Sequence, residues 1–252
     1  MAGSEGPVAL VGSGEFLEVM VPVDAGLLAG RPPRAAVLPT AASLEGDARV
    51  AWWLDLGRRH YEAMGIEAVP VPLLSRADAD DPGLARLVEG VGLIYLSGGD
   101  PHHLAAILRG SLVWDAVVRQ WRKGAALAGC SAGAMALSAG APPDLGPGGS
   151  HRSVAEEADG GGAGLGLVGQ LAVIPHFDLL ERMRPGIVER FREWKPAPVT
   201  LVGVEEETAL VAGGAGWQVH GGGAVWVFGG ESRERFGAGD DVGLAPLEAG
   251  PG

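Results

Sequence analysis

The chain is poor in cysteine and in positive charge. Cys130 is its single cysteine, so no intrachain disulfide can form, which fits a reducing compartment. Its 19 Lys and Arg residues stand against 31 Asp and Glu residues, which gives a net charge of −12. Nucleic acids and anionic membranes are bound by basic faces. We therefore expect neither of them as a partner.

Long apolar runs are missing as well. The longest apolar stretches have about ten residues, whereas a membrane-spanning helix needs roughly 20. Residues 1–7 lack the basic segment followed by an apolar run that is typical of a secretory signal. The sequence therefore predicts a cytoplasmic protein.

Glycine, by contrast, is abundant. The chain has 43 glycines among 252 residues, without a regular Gly-X-Y period, so we expect glycine-rich turns and loops and not a collagen helix. Hydrophobic residues make up 47% and charged residues 20%, a composition that excludes a disordered chain. No linker is evident. We predict one α/β domain over residues 1–230 and a poorly ordered, acidic tail over 231–252.

Strand and helix patterns alternate through the first half of the chain. Strands are predicted at residues 7–12, 34–39, 66–71, 91–97 and 125–130, and the clearest helices at 43–64 and 101–123. This order is the signature of a parallel sheet with right-handed crossovers. Residues 140–169 are predicted to be mostly loop, and loops of that length are usually functional or mobile. Beyond it we predict strands at 171–174, 199–204, 208–212 and 224–228, and a helix that begins near Pro185.

The sharpest motif is Gly-Cys-Ser-Ala-Gly at residues 129–133, between a predicted strand and a predicted helix. Glycines on both sides permit the tight strand-to-helix turn that projects a central nucleophile away from a sheet. Ser131 is that central residue. Cys130 precedes it and is predicted to be a small buried residue.

Three further segments could complete a hydrolytic site. Gly98, Gly99 and Asp100 follow the preceding strand, where paired glycines let backbone N–H groups approach a ligand. His176 follows a later strand and would emerge at the same sheet edge as Ser131. An orienting carboxylate could come from residues 205–207, from Asp178 or from Asp144, and the residues by themselves leave this open.

Together these segments resemble peptidase family S51, the serine peptidases that include dipeptidase E and cyanophycinase. The resemblance is carried in order by GSGE at 12–15, LSGGDPHHL at 96–104, GCSAGAMAL at 129–137, IPHFD at 174–178 and GVEEETAL at 203–210. It implies a three-layer, flavodoxin-like fold of the class I glutamine amidotransferase type, with a mostly parallel sheet covered by helices on both faces.

The resemblance also implies roles for individual residues. Ser131 would be the nucleophile and His176 its general base. Gly99 and Ala132 would supply the oxyanion N–H groups. The cyanophycinase branch aligns its third member on Glu206, which we prefer, whereas the dipeptidase branch favours an aspartate such as Asp144.

The implied substrate is a small aspartyl or β-aspartyl peptide. Its free carboxylate needs a local cation, for which Arg152, Arg182 and Arg184 are candidates because guanidinium binds carboxylate bidentately; Gly98 and Asp100 are further candidates for substrate contact. The chain departs from both branches, with Pro101 after the Gly-Gly-Asp turn and Pro175 before His176. No metal or organic cofactor is implied, and the family suggests a homodimer.

Two other functions are compatible with the same fold. An amidotransferase-like domain would rely on a thiolate nucleophile, and the serine at the centre of the turn argues against it. A non-catalytic domain of the same fold could instead bind a small metabolite. Absence of peptidase activity together with ligand-induced stabilisation would favour that alternative.

Overall fold

The computed structural model describes residues 5–143, 145, 163–213, 216–230 and 232–247. Its strands are β1 (Val8–Val11), β2 (Arg34–Leu38), β3 (Glu67–Pro70), β4 (Leu93–Leu96), β5 (Ala126–Cys130), β6 (Leu171–Ile174), β7 (Thr200–Val204), β8 (Thr208–Gly213), β9 (Gly216–Gly221), β10 (Ala224–Gly229), β11 (Ser232–Gly237) and β12 (Asp241–Val242). Its helices are α1 (Val21–Leu28), α2 (Asp47–Ala63), α3 (Arg76–Ala79), α4 (Pro82–Leu87), α5 (Pro101–Leu108), α6 (Leu112–Arg122), α7 (Ala132–Leu137), α8 (Phe177–Met183) and α9 (Ile187–Trp194). Among these helices, none combines the length and the apolar character that crossing a membrane requires.

An eight-stranded sheet forms the centre of the molecule, in the order β12-β9-β8-β1-β5-β4-β2-β3. The five strands from β1 to β3 in this order pair in parallel, and β8, β9 and β12 extend the β1 edge antiparallel. Because the strands are joined through helices, their carboxyl ends meet at one edge. The sequence prediction of a parallel α/β core is confirmed.

Alternate residues of this sheet face two apolar layers. Ala9, Val11 and Tyr95 pack with residues of α1 and α2 on one face. On the other face, Leu10 and Ile94 pack with residues of α4 to α7. A strand covered on both faces is apolar at nearly every position, as the four fully buried residues of β4 show.

A second, four-stranded sheet has the order β11-β10-β7-β6. Strands β6 and β7 are parallel, and β10 and β11 run antiparallel to them. Val202 and Val225 on one face join the core of the larger sheet, while Leu201 and Phe228 on the other face pack against α8 and α9. The fold is therefore an α/β fold of the flavodoxin-like class with mixed sheets; the separation into two sheets was not predicted.

Several boundaries differ from the sequence predictions. The helix predicted at 101–123 is two helices, because Gly110 adopts a left-handed φ of 60° and the Ser111 side chain caps α6. The helix α8 and the strand β9 were not predicted. The prediction of a poorly ordered tail is wrong for β11 and β12, because the backbone of β11 pairs with β10 and that of β12 pairs with β9. Most of the predicted 140–169 loop lies outside the described residues.

Candidate active site

Ser131 stands at the sharp turn between β5 and α7. Its backbone has φ 51° and ψ −107°, a strained conformation for a residue with a side chain, of the kind that clusters at functional sites. Close packing enforces the turn. A Cβ on Gly129 would lie 2.5 Å from the Gly133 carbonyl, and one on Gly133 would lie 2.4 Å from the Leu96 carbonyl oxygen. The Gly-x-Ser-x-Gly pattern is therefore a steric requirement of this turn.

His176 and Glu206 come from the smaller sheet. His176 follows β6 and Glu206 follows β7, and the parallel register, in which Ile174 pairs with Gly203, carries both to the same edge. His176 adopts a left-handed conformation with φ 47° at the start of α8. Its backbone N–H donates to the Gly12 carbonyl at 3.3 Å, which links this segment to the end of β1.

The three side chains form a continuous hydrogen-bonded series. His176 Nε2 lies 2.9 Å from Ser131 Oγ, and His176 Nδ1 lies 3.1 Å from Glu206 Oε1. The histidine and glutamate side chains are 32% and 42% exposed, so a substrate in solution can reach the series. A hydroxyl, an imidazole and a carboxylate in this order can deprotonate the hydroxyl and stabilise the resulting imidazolium.

The turn after β4 lies directly beside the serine. A side chain at Gly98 would come within 3.6 Å of Ser131 Cβ, and one at Gly99, where φ is 144°, would collide with the Ala41 backbone at 2.2 Å. The N–H groups of Ser97 and Asp100 donate to the carbonyls of residues 38 and 41. The Gly98 N–H donates to Glu15 Oε1 at 3.0 Å.

Two backbone N–H groups remain available at this point. Within the described parts of the chain, the Gly99 N–H donates no hydrogen bond, and the Ala132 N–H donates none to a group outside α7. Both belong to segments that adjoin Ser131. They have the chemistry needed to stabilise an oxyanion.

The other acidic candidates have different contacts. Asp178 Oδ1 accepts a hydrogen bond from the Glu206 backbone N–H at 3.0 Å, so it holds the backbone of the residue that carries the acid. Glu205 accepts from the Ala224 N–H and from Trp226 Nε1, which directs its carboxylate into the smaller sheet. Asp144 lies outside the described residues. Of the acids considered, the structure brings Glu206 to His176.

The predicted substrate-contacting residues are dispersed. Asp100 Oδ1 accepts from the N–H groups of His102 and His103 at 2.9 Å, which makes Asp100 the cap of α5. Arg182 and Arg184 are exposed at the end of α8, and the Arg182 guanidinium donates to the Asp178 carbonyl. Arg152 lies outside the described residues.

Cys130 points away from the site. Its thiol is buried and donates to Glu15 Oε2 at 2.8 Å. Burial, followed by the neighbouring Glu15 carboxylate, raises the pKa of the Cys130 thiol well above its usual range. A thiolate nucleophile of the amidotransferase kind is therefore not formed here at neutral pH.

The profile of peptidase family S51 matches residues 9–219. The chain belongs to this family. It is therefore a member of a family of serine peptidases, which are hydrolases, and the matched range contains every side chain of the hydrogen-bonded series described above.

Solved structures agree with this assignment. A peptidase from an acI-B1 Actinobacterium is 33% identical, with a TM-score of 0.84 over 97% of this chain and 99% of that one. A peptidase E-like protein from Listeria monocytogenes EGD-e is 14% identical, with a TM-score of 0.57 over 92% of this chain and 98% of that one, a likeness of fold. No curated protein matches the chain.

Sequence reasoning missed the support that Glu15 and Asp178 give to the site. Glu15 entered only through the GSGE segment, and Asp178 only as a rival for the third member. One signal was present for Glu15: it lies in a glycine-rich segment shortly after a buried strand, and an acid that is buried there needs hydrogen-bond donors. Nothing local in the sequence indicates that those donors belong to residues 98 and 130.

Proposed function

We propose that the chain is a serine exopeptidase or isopeptidase that removes an N-terminal aspartyl or β-aspartyl residue from small peptides. The observation that carries this proposal is the hydrogen-bonded series of Ser131, His176 and Glu206 beside two available backbone N–H groups. Membership of peptidase family S51 supports the hydrolytic chemistry.

The proposed mechanism begins with proton transfer. His176 Nε2 takes the proton of Ser131 Oγ while the oxygen attacks the scissile carbonyl. Glu206 holds the imidazole with Nε2 toward the serine and stabilises its protonated form. The Gly99 and Ala132 N–H groups stabilise the tetrahedral oxyanion, an effect worth about 3 to 4 kcal/mol per donor in comparable sites.

Collapse of this intermediate completes acylation. The protonated His176 donates its proton to the leaving amine, the peptide bond breaks, and the aspartyl group remains as an ester on Ser131. Water, deprotonated by His176, then attacks the ester and releases aspartate. The route uses side chains and backbone groups of this chain and needs no cofactor.

Aspartyl specificity requires positive charge near Ser131 to bind the substrate carboxylate. The chain as a whole is strongly acidic, so an anionic substrate requires a local cluster of cations. The candidates that the structure describes are Arg182 and Arg184, which are exposed at the C-terminal end of α8, the helix whose N-cap is His176. A single cysteine that is buried supports a cytoplasmic location. A homodimer belongs to the same proposal and is checked by light scattering.

The test follows free aspartate from matched dipeptides. We expect wild-type protein to hydrolyse Asp-X or β-Asp-X dipeptides, Ser131→Ala to release no aspartate from them, and the Asn-X analogues, which lack the carboxylate charge, to react at least about tenfold more slowly. Arg182→Gln and Arg184→Gln should raise KM for Asp-X and leave the Asn-X reaction unchanged.

Equal rates on Asp-X and Asn-X would contradict aspartyl specificity and leave the serine mechanism standing. Failure to hydrolyse any dipeptide would contradict the proposed activity. Stabilisation by a metabolite in that case would favour the non-catalytic alternative.

A further inference from the structure

Glu15 is a buried acid that the proposed mechanism does not use. It lies shortly after β1 and is only 7% exposed. Burial of a carboxylate is unfavourable unless hydrogen bonds satisfy its oxygens. Each of its two oxygens has one described donor, the Gly98 N–H at 3.0 Å for Oε1 and the Cys130 thiol at 2.8 Å for Oε2.

The first donor places Glu15 at the turn that carries the proposed oxyanion N–H. The flanking N–H groups of Ser97 and Asp100 are fixed on backbone carbonyls. Between them lie two consecutive glycines, whose φ and ψ are the least restricted of any residue. Without a further anchor, the Ser97–Gly98 peptide could rotate, and the Gly98–Gly99 peptide that follows it could turn the Gly99 N–H away from Ser131. The hydrogen bond to Glu15 from the Gly98 N–H, which belongs to the Ser97–Gly98 peptide, is that anchor.

The second donor extends the anchor to the nucleophile. Cys130 immediately precedes Ser131, so Glu15 joins the turn after β4 to the turn after β5. The three groups are in close contact, since a side chain at Gly98 would lie 3.2 Å from Glu15 Oε1 and 3.6 Å from Ser131 Cβ. One carboxylate thus fixes the nucleophile and the oxyanion donor relative to each other.

We propose that Glu15 is a positioning residue: its hydrogen bond from the Gly98 N–H holds the Ser97–Gly98 peptide, and with it the start of the Gly98–Gly99 peptide, so that the Gly99 N–H faces the oxyanion formed at Ser131. The proposal rests on the proposed serine nucleophile. It does not depend on which peptide is the substrate.

A second buried carboxylate provides a matched control. Asp24 is 2% exposed and binds the buried His60 at 2.8 Å between α1 and α2. It lies in the same apolar layer as Cys130, yet its hydrogen-bond partner belongs to α2 and not to the site. Substitution there reports what the loss of a buried carboxylate does to this fold in general.

The experiment compares Glu15→Ala, Glu15→Gln and Asp24→Asn with wild type. The first readout is the rate at which a fluorophosphonate labels Ser131, a reaction in which the Oγ–P bond forms, fluoride leaves and the serine proton passes to His176. The second is kcat and KM with the best dipeptide. The third is hydrogen exchange, by mass spectrometry, of the peptide spanning residues 97–100.

We expect Glu15→Ala to lower kcat and the labelling rate by about 30- to 100-fold, part of the 10²- to 10³-fold effect of removing an oxyanion donor. Its KM should stay within about threefold, because ground-state binding does not need the Gly99 N–H. The glutamine amide retains an acceptor for the Gly98 N–H, so Glu15→Gln should stay within about fivefold of wild type. The labelling rate of Asp24→Asn should stay within about twofold of the wild-type rate, whatever the thermal stability of this variant. Hydrogen exchange of residues 97–100 should become faster in Glu15→Ala alone.

Three results would overturn the proposal. The first is a Glu15→Ala variant whose labelling rate and hydrogen exchange equal those of wild type. The second is a fall in the labelling rate of Asp24→Asn as large as that of Glu15→Ala. The third is an equally large fall in Glu15→Gln. If Glu15→Ala does not fold, Glu15→Asp replaces it, because its shorter side chain cannot reach the Gly98 N–H.

Failure of the proposed function has a different signature. Labelled wild type that hydrolyses no aspartyl peptide contradicts the substrate and leaves the labelling comparison intact. Unlabelled wild type contradicts Ser131 as nucleophile, and the exchange at 97–100 then decides whether Glu15 holds the turn.

Discussion

The two sheets contribute to the candidate active site in different ways. The larger sheet supplies Ser131 from a central strand, in a turn so closely packed that the glycines on both sides admit no Cβ. The smaller sheet supplies His176 and Glu206, whose side chains are 32% and 42% exposed. They are held by hydrogen bonds, among them the bond from the Glu206 N–H to Asp178.

This difference indicates how each half of the site tolerates change. Backbone packing fixes the turn that carries the nucleophile, so a side chain added at its glycines must move main-chain atoms and should affect stability and activity together. Hydrogen bonds orient the base and the acid, and water can partly replace those bonds at exposed positions. Substitutions that weaken these hydrogen bonds but keep the His176 imidazole should therefore lower activity gradually and leave the fold intact.

The largest loss is expected when the reacting side chains are removed. Ser131→Ala and His176→Ala should each lower kcat/KM by about 10⁴-fold or more, as loss of a nucleophile or base does in comparable sites. The melting temperature should stay within about 3 °C of wild type, because neither substitution adds a clash. Aspartate release and thermal unfolding measure the two effects, and activity above about 1% of wild type in Ser131→Ala would assign the nucleophile elsewhere.

Gly129→Ala tests the packing of the larger sheet. The new Cβ would lie 2.5 Å from the Gly133 backbone, so the turn must shift, and we expect a loss of about 3 kcal/mol in the free energy of unfolding together with most of the activity. Urea denaturation and fluorophosphonate labelling provide the measurements. Gly26→Ala in α1, where nothing lies within 4 Å, is the control and should be active and slightly more stable. Equal behaviour of the two variants would refute the packing argument.

Glu206→Gln tests the exposed acid of the smaller sheet. The amide cannot stabilise the protonated imidazole by charge. Because water also reaches this exposed position and solvates the imidazolium, we expect kcat to fall by only about 10- to 100-fold. The free energy of unfolding should not change. Glu207→Gln is the control, since the exposed Glu207 side chain is next in sequence and should retain wild-type kcat. A reduction of similar size in both variants would indicate a general effect of charge.

Asp178→Ala should have a smaller effect. It removes the acceptor of the Glu206 N–H and lets the acid segment move without removing the acid, so we expect about a three- to tenfold fall in kcat. Asp178→Asn retains the acceptor oxygen and should recover most of the activity. The kcat values of Asp178→Ala and Asp178→Asn provide the test. Full activity in Asp178→Ala would show that the hydrogen bond from the Glu206 N–H to Asp178 does not position Glu206.

The smallest effect concerns Cys130. Because the pKa of its thiol is raised, the protonated form, which does not react, persists at pH 8, and raising the pH within the folded range should not expose a thiolate. We expect iodoacetamide to leave native protein active and unmodified, and to alkylate Cys130 once the chain is unfolded. Mass spectrometry and residual activity provide the check, and inactivation of native protein would revive a thiol-dependent mechanism.

Local patterns in the sequence were sufficient for the parallel core and the nucleophile turn. The buried strands β1, β2, β4 and β5 are almost wholly apolar, and the glycines around Ser131 are required by contacts with their close neighbours in sequence or in the next strand. Such features leave a local record, because a missing side chain or an unbroken apolar run is visible in the sequence itself. The S51 motifs added the order of the segments, and the family assignment is confirmed.

The second sheet and the tail strands are indicated only weakly by sequence patterns. A strand pattern does not say which strand will be its neighbour, so β6 and β7 could be predicted without revealing that they form a separate sheet. Strand β11 reads Ser-Arg-Glu-Arg-Phe-Gly and is largely exposed, which is typical of an edge strand and resembles a solvated loop in composition. Charge of this kind led to the wrong prediction of a poorly ordered tail.

The sequence by itself determined the elements, the turn that exposes Ser131 and the residue types available for hydrolysis, because these follow from steric limits and apolar periodicity over short segments. Only the tertiary structure decided which acid meets His176, and that Glu15 binds residues 98 and 130. Those contacts join residues between 30 and 115 positions apart. Hydrogen bonds over such separations depend on how the strands are ordered and paired, which no local pattern specifies.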